Sequence, residues 1–441
     1  MRQSEKLTAR MAVLCPVQGL AAISRWRLLG SAGWALIALV GSDLEAQQVP
    51  VESLGDAITE GRLSLELRPR YTGIWDTGLN ERGHAWTMRS IVGWQTATFG
   101  DFRAVVEGIH TDVVDAHHIS TDSSQYYVDS PYPLLPDPRE TDTNRVYLDY
   151  LGLPDTRVRF GKQPIRLDNE RFFSDVDFRQ TPMLFNGLTV VNNSLSGTEV
   201  YGALLDRVRT VFATQARTRI WLLRIAYSPA QDQSVAAYTY GVNQPDTGND
   251  TWLNDSSHEV FGLRAEGVVS TRFGFGWTYT AEGAHQRHYA GGDPVINADY
   301  WRLGAGVVWP RLAGLGARVD REVKTSNGGQ YAFQMPFEDT YAFNGWVSQF
   351  ATTPPTGLRD TWASLRAQPG HFQLLAEVHH FSATYGGLDY GNELDLRAAY
   401  AVTNSLTLAL QHARFHGIGV TGGWFDYYDV TKTWLSLTYD Y

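Results

Sequence analysis

The stretch T-R-V-R-F-G, Thr156 to Gly161, decides the fold class, and the residues after it mark where that pattern breaks off. Arg157 and Arg159 point one way and Val158 and Phe160 the other, as on a strand with one wet and one apolar face. From Gly161 to Gln180, G-K-Q-P-I-R-L-D-N-E-R-F-F-S-D-V-D-F-R-Q, the alternation stops. Lys162, Arg166, Arg171 and Arg179 are interspersed with Asp168, Glu170, Asp175 and Asp177, and Phe172, Phe173 and Phe178 stand among them as apolar anchors. Charge this dense and this balanced excludes an ordinary core element. It fits either a plug-like loop with its ion pairs in a wet cavity or a solvated surface loop.

Outward from this point the two-residue rhythm recurs along most of the chain. Arg62 to Thr72 alternates Leu63, Leu65 and Leu67 with Ser64, Glu66 and Arg68. Ala85 to Ala97, Asp101 to Thr111, Asn144 to Leu151, Thr156 to Lys162, Gly187 to Asn192, Thr198 to Leu205, Arg217 to Tyr227 and Ser234 to Val242 follow. Ser256 to Val269, Phe273 to His288, Tyr300 to Pro310, Leu315 to Lys324, Asp360 to Arg366, Phe372 to Ala383, Glu393 to Ala401, Leu406 to Phe415 and Thr431 to Tyr441 complete about 18 strands, an even number as bacterial barrels require. Short links such as Gly152-Leu153-Pro154-Asp155 alternate with the long stretches Asp112 to Asp142, Asn243 to Ser257 and Ser326 to Gly357, which are expected to be extracellular loops.

Composition agrees with an all-β transmembrane antiparallel barrel of the bacterial outer-membrane type. Aromatic residues make up 12%, with 14 Trp and 22 Tyr, against 19% charged residues, where a long soluble enzyme carries more Leu, Lys and Glu at helical spacing. The last strand places Leu435, Leu437, Tyr439 and Tyr441 on one face and Trp434, Ser436, Thr438 and Asp440 on the other. At the other end, Arg25 and Arg27 precede the apolar run Leu28 to Val40, too short to span a bilayer as a helix and suited to a secretory signal. The expected organisation is therefore a signal peptide at 1–46, an N-terminal periplasmic segment at 47–61 and the barrel at 62–441.

Processing after Ala46 removes Cys15, the only cysteine, and leaves 32 basic against 44 acidic residues, a net charge of −12. Such acidity excludes a nucleic-acid binder. No later stretch holds the roughly 20 apolar residues of a spanning helix, so membrane residence must come from strands.

Arg145 to Gly161, R-V-Y-L-D-Y-L-G-L-P-D-T-R-V-R-F-G, running on through Lys162-Gln163 into L-D-N-E-R-F at Leu167 to Phe172, resembles the hallmark of the alginate-export family of bacterial outer-membrane porins. Lys162 stands where that pattern has Arg, keeping the charge but losing the planar fork. The resemblance implies a passive outer-membrane channel for an anionic polysaccharide such as alginate, or a related anionic solute. Outer-membrane lipids surround such a channel, and periplasmic export components are candidate partners.

The strand phases add their own candidates for an arginine-lined pore: Arg68, Arg89, Arg103, Arg145, Arg157 and Arg159, with Arg219, Arg264, Arg302, Arg366, Arg397 and Arg414 further along. Lys162, Arg166, Arg171 and Arg179 come from the charged stretch, expected to fold near or into the lumen and narrow it. Guanidinium groups in a confined lumen concentrate carboxylate-bearing polymers and bind them bidentately. The competing role for each is to pair with Glu66, Glu107, Asp149, Glu266, Glu282, Glu377 or Asp395 and hold the barrel rigid. Net acidity leaves neutral or cationic cargo open, and a general small-solute porin is the alternative channel.

No enzyme is expected. The pairs His117-His118 and His379-His380 project to opposite faces of a strand and cannot chelate one ion from it. The sequence contains no HExxH and no GxSxG, and nothing in it pairs a Ser with a His as an outer-membrane lipid hydrolase requires. No cofactor or metal is expected.

Overall fold

In a computed structural model that describes residues 50–79, 81–121, 131–244, 255–419 and 426–441, the two-residue rhythm becomes a closed antiparallel cylinder. Among the described residues its wall consists of β1 (Arg62–Asp76), β2 (Glu81–Gln95), β3 (Phe102–His117), β4 (Glu140–Leu153), β5 (Thr156–Gln163), β6 (Leu184–Asn192), β7 (Thr198–Arg209), β8 (Arg219–Ala230) and β9 (Gln233–Asn243). It continues with β10 (His258–Ser270), β11 (Gly276–His288), β12 (Asn297–Trp309), β13 (Leu315–Lys324), β14 (Leu358–Ala367), β15 (Phe372–Ser382), β16 (Asp389–Ala401), β17 (Leu406–Gly417) and β18 (Val430–Asp440). Each strand pairs with the next, and β18 returns to β1 with Leu435 opposite Tyr71 and Trp434 opposite Thr72. Closure leaves no free edge, the condition for strands in hydrocarbon, where no water satisfies an open N–H or C=O. The eighteen strands match those read from the sequence, several of them longer; the signal-peptide expectation lies outside the described residues.

Burial follows strand phase. On β5, Phe160 is 67% exposed, whereas on β12 the inward Arg302 is 0% exposed. Leu204, Leu263, Leu303, Val319 and Leu365 are exposed as well, an apolar outer surface that only a lipid environment accommodates. Near the short-turn end the outer face carries aromatic pairs, Phe102 with Tyr150 at 5.0 Å and Phe372 with Tyr400 at 4.7 Å between ring centroids. On β18, Leu435 and Leu437 face outward while Trp434, Ser436 and Thr438 are buried, as their alternation predicts.

The buried clusters lie inside the cylinder. Residues 164–183, between β5 and β6, leave the wall where Gly161 of β5 faces Gly187 of β6. Both glycines have positive φ, 135° and 151°, and a Cβ on either would lie 2.2 Å from a backbone oxygen of the neighbouring strand, Val146 or Leu204. Residues 325–357, between β13 and β14, also turn inward, which corrects the expectation of an extracellular loop there. Tyr331, Phe333, Met335, Phe337, Tyr341, Trp346 and Phe350 are all buried, so its aromatic content gives it an apolar surface that only the lumen can cover. From the third long connection, Leu135 and Asp137 are buried too, and Asp137 Oδ1 accepts from the backbone N–H of Gln180 at 3.1 Å.

Candidate functional site

The two inward segments form one plug. The N–H of Ser174 donates to the carbonyl of Phe337 at 2.8 Å, and that of Asp339 to the carbonyl of Glu170 at 3.1 Å. Phe173 stacks on Phe337, and Phe178 stacks on Tyr341 with centroids 3.4 Å apart. Arg171 holds the segments to each other and to the wall: its guanidinium pairs with Glu338 of the second segment and Glu322 of β13, and donates to Asn344 Oδ1 at 2.9 Å. The chain takes positive φ at Asp168, Glu170 and Val176; for the β-branched Val176, at 50° and buried, this is a strained conformation fixed by hydrogen bonds from Val176 N to Ser174 Oγ and from Arg179 N to Val176 O.

Both ends of the first segment are tied to opposite walls. On one side Arg68 donates to Gln180 Oε1 at 3.1 Å and to the carbonyls of Asp177 and Arg179 at 2.9 and 2.6 Å; Arg70 donates to the carbonyl of Phe178 at 2.7 Å. Arg89 joins Glu66 and reaches Asp177 at 2.9 Å, which separates it from Arg68 directly opposite on β1. On the other side Arg224 of β8 grips Asp168 at 2.5 Å and Glu199 at 2.7 Å. Burial pushes the Asp168 carboxyl up, but the Arg224 guanidinium outweighs it and leaves Asp168 below the usual carboxylate range. Where the segments meet, burial raises the carboxyls of Glu170 and Asp339, that of Asp339 to about 6.

The remaining predicted site residues divide by partner. Arg103 and Arg159 share Asp149 at 2.8 and 2.6 Å, with Arg157 on the same face of β5; Arg145 pairs with Glu107 at 2.5 Å. Lys162 and Arg209 share Asp142, at 2.6 and 3.2 Å, and Arg166 pairs with Asp175 at 2.5 Å. These groups keep the wall and plug rigid. Arg264 pairs with Glu266 and Glu282, and Arg302 with Asp320 at 2.9 Å. Two arginines read as inward face outward: Arg219 shares its phase with the exposed Leu223 and Ile225, and Arg414 with the exposed Leu408 and Leu410. Arg224, absent from the expected set, has the inward phase of Ile220 and Leu222.

Four cations, Arg179 and Arg397 of the expected set together with Arg70 and Lys432 outside it, have no carboxylate in ion-pair contact among the described residues. Arg70 donates only to the Phe178 carbonyl, Arg179 to Ser348 Oγ at 3.2 Å, Arg397 to Gln373 Oε1 at 3.3 Å, and Lys432 to the carbonyl of Val347 at 2.6 Å. Register places them together: Arg397, Gln411, Trp434 and Thr72 form one cross-strand row of inward side chains, with Arg70 two residues from Thr72 on one side and Lys432 two residues from Trp434. Beside this cationic wall lies an acidic one. Asp395 and Glu393 accept from the backbone N–H groups of Trp346 and Val347 at 3.3 and 2.8 Å, and His379 sits 3.0 Å from Asp360 and 3.7 Å from Asp395. Opposite charges are thus arrayed around the same part of the plug.

The same cylinder recurs in solved structures. OpdO of Pseudomonas aeruginosa aligns with a TM-score of 0.63 at 14% identity over 88% of this chain and 98% of its own. OccAB2 of Acinetobacter baumannii gives 0.67 at 12% over 88% and 100%, and OccD3 (OpdP) of Pseudomonas aeruginosa 0.61 at 13% over 90% and 97%. No curated protein sequence matches this one. The model of the alginate export family matches residues 72–343, more than half of the 441, and the chain belongs to that family, as a channel of the bacterial outer membrane.

Proposed function

We propose that the barrel passes carboxylate-bearing solutes, alginate-like uronate chains among them, by diffusion beside the plug, with the cations that have no carboxylate partner setting the preference for anions. The observation that carries this reading is the group of Arg70, Arg179, Arg397 and Lys432, whose side-chain hydrogen bonds among the described residues go to neutral oxygens and none of which is in ion-pair contact with a carboxylate. The paired arginines of the sequence-derived set act here as scaffold, and their charge is already neutralised. A buried cation without a contacting counter-ion is costly to hold, and an incoming carboxylate relieves that cost.

Planar-bilayer recording tests the proposal. In a salt gradient the native barrel gives a reversal potential of anion-selective sign, and uronate oligomers added to one side block the current. Arg397→Gln with Lys432→Gln shifts the reversal potential toward zero and weakens the block at least about a hundredfold, as expected for the loss of two charge-assisted contacts worth about 1.5–3 kcal/mol each. An unchanged reversal potential in the double variant sinks the reading. The same measurement separates a general small-solute porin, which conducts without uronate block, from a lipid hydrolase, which turns over substrate without conductance.

A further inference from the structure

Outside the lumen, at the long-loop end of β2 and β3, two imidazoles and a carboxylate converge on the outer surface. His84 of β2 lies directly opposite His117 of β3, their ring centroids 5.2 Å apart, and Asp115 stands between the nitrogens. Its Oδ2 is 4.0 Å from His84 Nε2 and its Oδ1 3.4 Å from His117 Nε2. All three side chains are exposed at 42%, 47% and 66% for His84, Asp115 and His117, so an ion can reach them.

A local irregularity makes the grouping. On β3 the even-numbered residues Val106, Gly108 and His110 face outward, which would turn Asp115 and His117 into the barrel. The register shifts between Trp86 and Thr87: Thr87 pairs with Val113, Trp86 with Asp115, and Val114 is the extra residue. The bulge reverses the phase and brings residues 115 and 117 onto the face of His84, a re-aiming that bulges commonly perform. Beyond it, Gly83 lets the chains close up, since a Cβ there would lie 2.1 Å from the carbonyl oxygen of His118. His118, at φ 50°, turns away to Glu81 at 3.2 Å and stacks on Tyr132. His118 therefore points away from His117, and the histidine that faces His117 is His84, across the ladder.

We propose that His84, Asp115 and His117 form a binding site for a divalent transition-metal ion, of which Zn2+ is the probe. Metal–ligand bonds of about 2.0–2.1 Å set tetrahedral neighbours roughly 3.4 Å apart, the distance found between Asp115 and His117. A shift of the exposed His84 nitrogen by about half an ångström closes its 4.0 Å gap to Asp115 to nearly that spacing, and the three ligand atoms lie within 4.8 Å of one another. Imidazole nitrogens paired with one carboxylate favour Zn2+, Cu2+ or Ni2+ over the oxygen-seeking Ca2+ and Mg2+. Tyr71 packs against both His84 and Trp86, at 6.0 and 5.3 Å, so the site lies just beyond an interfacial aromatic patch and outside the hydrocarbon.

Titration calorimetry of the tag-free, detergent-solubilised barrel with Zn2+ tests this. One saturable site per chain is expected, and His84→Ala and His117→Ala are each expected to weaken it at least about tenfold, since loss of even an indirect metal partner has that effect. His285→Ala, which removes an exposed histidine paired with Asp299 on another part of the wall, is expected to leave it unchanged. His84→Gln serves where an alanine variant fails to reach the folded, heat-modifiable form. Absence of saturable Zn2+ binding by the native barrel, or equal binding by the His84 and His117 variants, overturns the proposal.

Discussion

Asp339 sits where the two plug segments touch, and its carboxyl accepts from the backbone N–H groups of Tyr341 and Ala342 at 3.0 and 3.2 Å. Burial nonetheless lifts it to about 6, above the roughly 3.9 of a free aspartate, and Glu170 alongside is raised as well. A carboxyl whose folded value lies above its unfolded one favours the docked plug fully below about pH 4, and that contribution is lost as pH rises through 6. Single-channel recordings should therefore show more frequent plug fluctuations at pH 7 than at pH 5. Asp339→Asn keeps an acceptor oxygen and should flatten that dependence; an identical pH response in the variant counts against the assignment. Single residues were also where sequence reading was weakest. Arg219 and Arg414 carry the right chemistry for a pore, but Leu223, Ile225, Leu408 and Leu410 set a phase that turns them outward. Arg224 could have been found from the same phase rule, since it alternates with Leu223 and Ile225 and falls in step with Leu222.

At the level of elements, the strands were legible because both faces of a barrel wall impose alternation, one against lipid and the other against a polar interior. The segment at 164–183 was legible as a lumen candidate because its charges are balanced and interleaved with phenylalanines. The companion segment, Ser326 to Gly357, was read as an outer loop from Gly328, Gly329, Pro336, Pro354 and Pro355, while Phe333, Phe337, Tyr341, Phe343, Trp346 and Phe350 among them pointed to burial. The glycines and prolines, all but Pro336 near its two ends, describe how the chain turns, whereas the aromatics describe where the middle rests. Arg171 is the joint between these segments, so Arg171→Met should leave Glu322 and Glu338 with Lys324, 3.6 Å from Glu338, as their remaining ion-pair contact among the described residues. Loss of one partner from a buried ion pair costs about 3–5 kcal/mol. The expected result is faster proteolysis within 328–357 and a larger open-channel conductance, with the heat-modifiable barrel retained.

Across the whole molecule the outer wall is held to a different rule from the lumen, because lipid supplies neither counter-ion nor water. Leu263, exposed midway along β10, should tolerate Val with little change, while Leu263→Arg should destabilise the barrel by about 2–4 kcal/mol if it lies at the bilayer midplane. Urea unfolding from lipid vesicles measures the difference. The pairing of β18 with β1 has a further consequence for biogenesis. Partners some 360 positions apart must meet before the wall has no raw rim, and contacts that distant form slowly. Until Val430–Asp440 arrives, every precursor presents two sticky borders to its surroundings, so a nascent chain needs shelter until that strand is made, and truncation before Val430 would yield an unsealed shell.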